Sequence, residues 1–161
     1  MSEQLRILHV DDDPALLDLT AELLERVDPE LTVRSEADPT TVLDRLNSEP
    51  VDCIVSDCEM PGCDGIELCE RIRHRRSELP FVLFTSRDAP EIVERATAAG
   101  ATDYVQKAPG VEQYELLANR IRDAVDRYRV RKRLATLRSA SGAQIDPSAI
   151  GSIGPADVEL D

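Results

Sequence analysis

A chain of 161 residues allows one compact domain and a short appendage, and its 42% hydrophobic fraction, with three Tyr, two Phe and no Trp, requires a core of Leu, Val and Ile. A formal charge of -13 excludes a nonspecific nucleic-acid coat, which needs clustered positive charge. No run approaches roughly 18 apolar residues, and no basic stretch followed by an apolar one opens the chain, so a cytoplasmic protein is expected rather than a secreted or membrane-spanning one.

Arg6 to Val10 is a short apolar-rich run broken by Asp11-Asp12-Asp13-Pro14, which predicts a buried strand stopped by a polar loop. Asp13 suits the N-cap of the next helix and Pro14 its first turn. Leu16, Leu17, Leu19, Leu23, Leu24 and Val27 give that helix a broad apolar stripe, and Pro29 closes it. Leu31 to Arg34 predicts a second strand, and Val42, Leu43 and Leu46 mark a helix over about 39–47. A third strand, Val51 to Ser56, ends at Asp57. After the loop Cys58 to Gly65, the residues Ile66, Leu68, Cys69 and Ile72 predict a helix over about 66–75. Pro80 introduces the strand Phe81 to Phe84, which ends at Thr85, and a helix over about 91–99 stops at Gly100. A brief strand, Asp103 to Gln106, leads to Lys107, and a long last helix starts near Val111. From Arg127 to Arg138 the chain is basic and helix-compatible, with Val130, Leu134 and Leu137 spaced 4 and 3 apart. Gly, Ser and Pro from Ser139 onward predict a tail or linker, so the expected division is 1–126 for the domain and 127–161 for a basic helical extension and tail.

Strand–helix alternation of this kind predicts a parallel sheet covered on both faces, with right-handed connections. In such a sheet the polar residues at the C-terminal ends of the strands converge along one edge. Those residues are Asp11 and Asp12, Asp57, Thr85 and Lys107. Three crowded carboxylates repel one another, and a hard divalent cation such as Mg²⁺, which prefers oxygen ligands and retained waters, relieves that repulsion. Asp11, Asp12 and Asp57 can share it, with a backbone carbonyl and waters completing the shell. Lys107 can pair with a carboxylate and then with a phosphoryl oxygen, and Thr85 can donate its hydroxyl to the same group. Such a set suits in-line phosphoryl transfer to an Asp57 oxygen. The cysteines at 53, 58, 63 and 69 lack metal-ligand or redox-pair spacing and are expected to be buried thiols. His9 is expected to be a sheet residue and His74 a surface one near a helix end.

Four motifs together resemble a two-component response-regulator receiver domain of the CheY-like kind: Ile-Leu-His-Val-Asp11-Asp12-Asp13-Pro14, Asp57-Cys58-Glu59-Met60-Pro61-Gly62-Cys63-Asp64-Gly65, Phe-Thr85-Ser86, and Gly100-Ala-Thr-Asp-Tyr104-Val-Gln-Lys107. The resemblance covers about residues 5–125. It implies a doubly wound five-stranded parallel α/β sheet of flavodoxin-like order 2-1-3-4-5. It implies that Asp11 and Asp12 are the acidic metal-binding pair, that Asp57 is the phosphoacceptor, and that Glu59 lends its backbone carbonyl to the Mg²⁺. Thr85 and Lys107 match the phosphoryl-contacting residues and Tyr104 the aromatic switch. The implied partners are a sensor histidine kinase or phosphotransfer protein, whose phosphohistidine is the donor, and a downstream output protein or domain. The implied chemistry is autocatalytic acceptance of the phosphoryl group and self-dephosphorylation, with no separate substrate turned over.

Two positions depart from the family pattern. Lys107 is followed by Ala108 and only then by Pro109, where the family has Lys-Pro with a cis bond, so the loop is rearranged or strained. Glu59 adds an acid beside an already acidic pocket. A degenerate receiver that binds partners without phosphorylation is one alternative. A phosphatase of the haloacid-dehalogenase kind is another, although the triplet is followed by Pro14-Ala15 rather than completing a DxDx[TV] motif. The basic extension suits a linker or a homodimer seam through the last helices, not a direct nucleic-acid contact. Arginine with only two lysines, Lys107 and Lys132, among abundant acids resembles the cytoplasmic proteins of salt-loving archaea.

Overall fold

In a computed structural model of the chain, residues 4–86 and 90–142 are described. The elements run β1 (Leu5–Val10), α1 (Pro14–Val27), β2 (Leu31–Glu36), a 3₁₀ turn (Pro39–Thr41), α2 (Val42–Ser48), β3 (Cys53–Ser56), α3 (Gly65–Arg75), β4 (Phe81–Thr85), α4 (Pro90–Ala99), β5 (Asp103–Gln106) and α5 (Glu112–Gly142). All five strands are parallel, in the order β2-β1-β3-β4-β5 expected from the resemblance. The chain divides into two compact units after Tyr128, and the described part of the second is the helical stretch 129–142.

Side chains alternate across each strand, so the sheet sorts its apolar residues into two cores. Leu8, Val10, Ile54, Phe81 and Leu83 face α2, α3 and α4, where Val42, Leu46, Leu68, Ile72, Ile92 and Ala96 meet them. Leu5, Ile7, Cys53, Val55, Val82, Phe84 and Val105 face the other way, against Leu24 of α1 and Leu117, Ile121 and Val125 of α5. At about 25 cal/mol per Å² of apolar surface, these two aliphatic layers are the main favourable contribution to folding.

Local chemistry sets the element ends. The Asp13 carboxylate accepts from the Ala15 N–H at 3.0 Å, capping α1 ahead of Pro14 as expected. The stripe predicted for α1 is narrower than its leucines suggest. Leu17, Thr20 and Leu24 are buried, whereas Leu19 is 43% exposed, because it lies on the other side of the helix from the inward row. The helix expected over 39–47 is a 3₁₀ turn followed by α2. Asp38, capping through the Thr40 N–H at 2.9 Å, and Pro39 start the turn. β2 continues to Glu36, two residues past the expected end. It is an edge strand, where polar side chains stay in water while the backbone keeps its ladder. β3 begins at Cys53 rather than Val51, and Asp52 is tied to β1 through its carboxylate, which accepts the Arg6 N–H at 2.7 Å. All four cysteines are free and buried, as expected.

Candidate functional site

The residues that matter most stand one position beyond the strands, yet the backbone pins them. The Asp57 N–H donates to Val10 O at 3.0 Å, the Asp11 N–H to Glu36 O at 3.1 Å and the Lys107 N–H to Thr85 O at 2.8 Å. Each bond extends a parallel ladder past the strand ends, so polar side chains are held at the sheet edge without entering the core.

There the predicted acids come together. Asp11 is buried, Asp57 half-buried and Asp12 exposed, and one oxygen from each lies within 4.8 Å of the others. The Lys107 Nζ is 3.1 Å from Asp11 Oδ2 and 3.7 Å from Asp57 Oδ1. Its ammonium also lies 5.5 Å from the centre of the Phe84 ring. Asp57 Oδ1 accepts the Cys58 N–H at 2.8 Å, and the buried Thr85 hydroxyl is hydrogen-bonded to the same carboxylate. Asp11 Oδ1 accepts the Asp13 N–H at 3.0 Å.

Burial raises the Asp57 carboxyl above the ordinary aspartate range. The Lys107 charge offsets part of that, the Asp11 charge adds to it, and the Cys58 and Thr85 hydrogen bonds favour the ionised form. Three oxygen donors of mixed exposure, with two acids repelling across a half-buried site, form a set that fits a hard divalent cation. Glu59 is exposed in the loop after β3 and stands outside this carboxylate cluster. Its sequence-assigned part is a backbone carbonyl, a role that leaves its carboxylate outside. Tyr104 is half-buried on β5 and packs against the core on the α3–α4 side, level with Leu83.

The Lys107-Ala108 loop is rearranged rather than cis: no cis peptide occurs among the described residues. Ala108 keeps an N–H that proline lacks and donates it to Gln113 Oε1 at 3.1 Å. Gln113 Nε2 in turn donates to Gly110 O at 2.9 Å, across a turn that Gly110 makes at φ +95°. The loop is therefore closed by a side chain of α5, and Lys107 still reaches both acids.

Two participants escaped the sequence. Gly65, expected to end a loop, is the first residue of α3, and any Cβ there would overlap the Asp57 carbonyl oxygen. The Gly65 N–H also donates to Cys58 O at 2.8 Å, so the loop folds tightly over the strand end. The buried Ser56 donates its hydroxyl to Asp57 O at 2.8 Å. His9 is the sheet residue expected, but both its ring nitrogens are buried without a hydrogen-bond partner. Burial lowers its pKa to about 4, so it is neutral beside the acids. His74 is exposed near the end of α3, as expected.

Comparison with known proteins agrees with this geometry. Residues 7–119 match the family model described as the response regulator receiver domain. The two-component response regulator ARR10 of Arabidopsis thaliana is 29% identical over 138 residues, which is 86% of this chain and 24% of that protein. The heme response regulator HssR of Staphylococcus aureus is 36% identical over 125 residues, covering 76% of this chain and 52% of that one. The chain thus spans from about a quarter to about half the length of these relatives. Among solved structures, a CheY-like receiver domain protein of Methanospirillum hungatei superposes with a TM-score of 0.69 at 27% identity, over 80% of this chain and 99% of its own. The chemotaxis response regulator CheY4 of Vibrio cholerae gives 0.66 at 25% identity, over 73% and 98%. The chain belongs to the response regulator receiver domain family.

Proposed function

We propose that Asp57 accepts a phosphoryl group from the phosphohistidine of a sensor kinase or phosphotransfer protein. The observation that carries this is the meeting of the Asp57 carboxylate with Lys107 Nζ at 3.7 Å, the Thr85 hydroxyl and the two acids that follow β1. An Asp57 oxygen attacks phosphorus, the O–P bond forms, and the N–P bond breaks with its electron pair returning to the donor imidazole. The Cys58 N–H orients the nucleophile through Oδ1, and Lys107 and Thr85 favour charge on the arriving oxygens. Asp11, Asp12 and Asp57, with the Glu59 carbonyl, would hold Mg²⁺, which supplies charge neutralisation at the phosphoryl oxygens. Loss of the phosphoryl group to water returns the carboxylate.

Once phosphorylated, Asp57 carries a dianionic group that competes for the Thr85 hydroxyl and the Lys107 ammonium. Tyr104, half-buried on the next strand, is the element positioned to report that exchange to a downstream protein or domain. Moving such a switch from 1:99 to 99:1 takes about 5.5 kcal/mol of differential interaction. Residues 1–126 form the receiver and 127–161 an appended extension. The acidic, lysine-poor composition suits work in concentrated salt, where an unfolding midpoint that rises with KCl is the expected behaviour.

The test is intact mass after incubation with Mg²⁺ and acetyl phosphate. A labile phosphate adduct on the wild type that disappears in Asp57→Asn and after chelation is expected. Absence of any adduct on the folded wild type, or its persistence in Asp57→Asn, refutes the assignment.

A further inference from the structure

α5 continues through Arg129–Gly142, about four turns in which every side chain from Arg131 to Ala140 is exposed. Val130, Leu134 and Leu137 are 54%, 45% and 56% exposed, on one stripe. From 131 to 140 no side chain is buried, so these turns gain no packing to support the helix, and the aliphatic stripe calls for a cover. Its 4–3 spacing is that of a coiled-coil seam, with Val130 at d, Leu134 at a and Leu137 at d.

The flanks say what the cover is. In this register Arg131 and Arg138 occupy e and Arg133 occupies g, the positions that set partner choice. From Arg127 to Arg138 there are six basic residues and no acidic one, in a chain whose formal charge is -13. Two copies paired in parallel would set Arg133 against Arg138 of the second copy. Antiparallel pairing would set the e arginines against each other. Both arrangements juxtapose like charges, which disfavours self-association through the seam. Phosphate binding would use the cations but not the aliphatic stripe. Three aliphatic residues without an aromatic are also a thin face for a lipid surface.

We infer that residues 130–138 are a docking seam for an acidic amphipathic helix of another protein, with aliphatic residues at its a and d positions and Glu or Asp at e and g. This seam is independent of the phosphoacceptor chemistry, since it involves none of the same residues.

Fluorescence anisotropy with the full chain tests it, using a labelled synthetic coiled-coil peptide with aliphatic a and d positions and Glu at every e and g. A twin carries Lys at e and g. Binding of the Glu peptide that weakens with added KCl, with the Lys twin at least about tenfold weaker, is expected. Leu134→Asp should weaken the Glu peptide by at least about tenfold, while the urea midpoint of the receiver stays unchanged. Equal binding of the two peptides, or no effect of Leu134→Asp, overturns the inference. So does a dimer in analytical ultracentrifugation that Leu134→Asp dissociates, which makes the seam homotypic. Duplex DNA or anionic vesicles displacing the Glu peptide likewise overturn it. A full-length variant with Asp157, Glu159 and Asp161 changed to amides that binds the peptide about tenfold tighter would assign the seam to the chain's own tail.

Discussion

Gly65→Ala sets two physical effects against each other, and the structure says which wins. Gly65 is the first residue of α3, where alanine is the better helix former by about 1 kcal/mol. Propensity alone therefore predicts a more stable protein. The methyl, however, would overlap the Asp57 carbonyl oxygen and lie 3.0 Å from both Asp57 C and Leu83 Cδ1. Neither Asp57 atom can yield as a flexible side chain does. The carbonyl is fixed by the Ser56 hydroxyl at 2.8 Å, and the Asp57 N–H is tied to Val10 O at 3.0 Å. Overpacking of this kind costs about 1–3 kcal/mol, and a rigid backbone target belongs at the upper end. Setting about 3 kcal/mol of overlap against about 1 kcal/mol of propensity leaves a net loss of about 2 kcal/mol. For a domain of this size the melting temperature falls by roughly 5–10 °C. Relief must also displace the backbone that carries the proposed nucleophile, and a misplacement of about 1 Å can cost on the order of 100-fold in rate. Thermal unfolding followed by circular dichroism measures the first effect. The rate of adduct formation from acetyl phosphate measures the second. A Gly65→Ala protein that melts above the wild type and gains phosphate at an undiminished rate refutes the reasoning.

Other perturbations follow from the same contacts. Asp57 has its pKa raised in the fold, so its contribution to stability is fully present below the unfolded aspartate value and is lost as pH rises through the folded one. Asp57→Asn should therefore raise the urea midpoint at pH 7 in chelator. Saturating Mg²⁺ should reverse that order by stabilising the wild type, by about 2.7 kcal/mol at a hundredfold excess over Kd. His9 has its pKa lowered from 6.5 to about 4, so the unfolded chain takes up a proton that the fold resists. Stability is lost as pH falls below about 6.5, by roughly 2 kcal/mol at pH 5, and urea titrations of His9→Leu should show that part of the acid loss removed. Gln113→Ala should cost about 1 kcal/mol in urea melts through its two loop hydrogen bonds and slow adduct formation by loosening Lys107. An unchanged melt together with an unchanged rate would show that the Lys107 backbone bond to Thr85 holds the loop alone.

Much of this architecture is written locally. Runs such as Cys53 to Ser56 are apolar until the chain meets a polar residue at the sheet edge, and that switch marks both where the strand ends and where the site begins. The order of the polar residues along the chain thus becomes, through parallel pairing, their neighbourhood in space. Other features depend on contacts distant in sequence. Nothing around Leu19 says that it turns outward while Thr20 turns in, since a run of leucines fits several helical faces until the sheet chooses one. Gly65 looks like loop punctuation, and only the return of the chain over Asp57 shows that a methyl has no room. That both ring nitrogens of His9 lack a partner depends on what the fold packs around them, which the residues of its own strand do not specify.

The Lys107 loop shows most clearly why a motif and its geometry can part company. Loss of the family's proline after the lysine suggests a misplaced ammonium. Yet the position of that ammonium depends on three things that do not involve the next residue's ring. The Lys107 N–H is bonded to Thr85 O at 2.8 Å, which fixes where the side chain starts. The charges of Asp11 and Asp57 fix where it ends. The turn beyond needs only some closure, and the N–H that alanine supplies and proline lacks gives Gln113 the means to provide it. Restoring the family sequence with Ala108→Pro would delete that donor and leave Gln113 only its bond to Gly110 O. At this position the family residue is therefore expected to be the destabilising one.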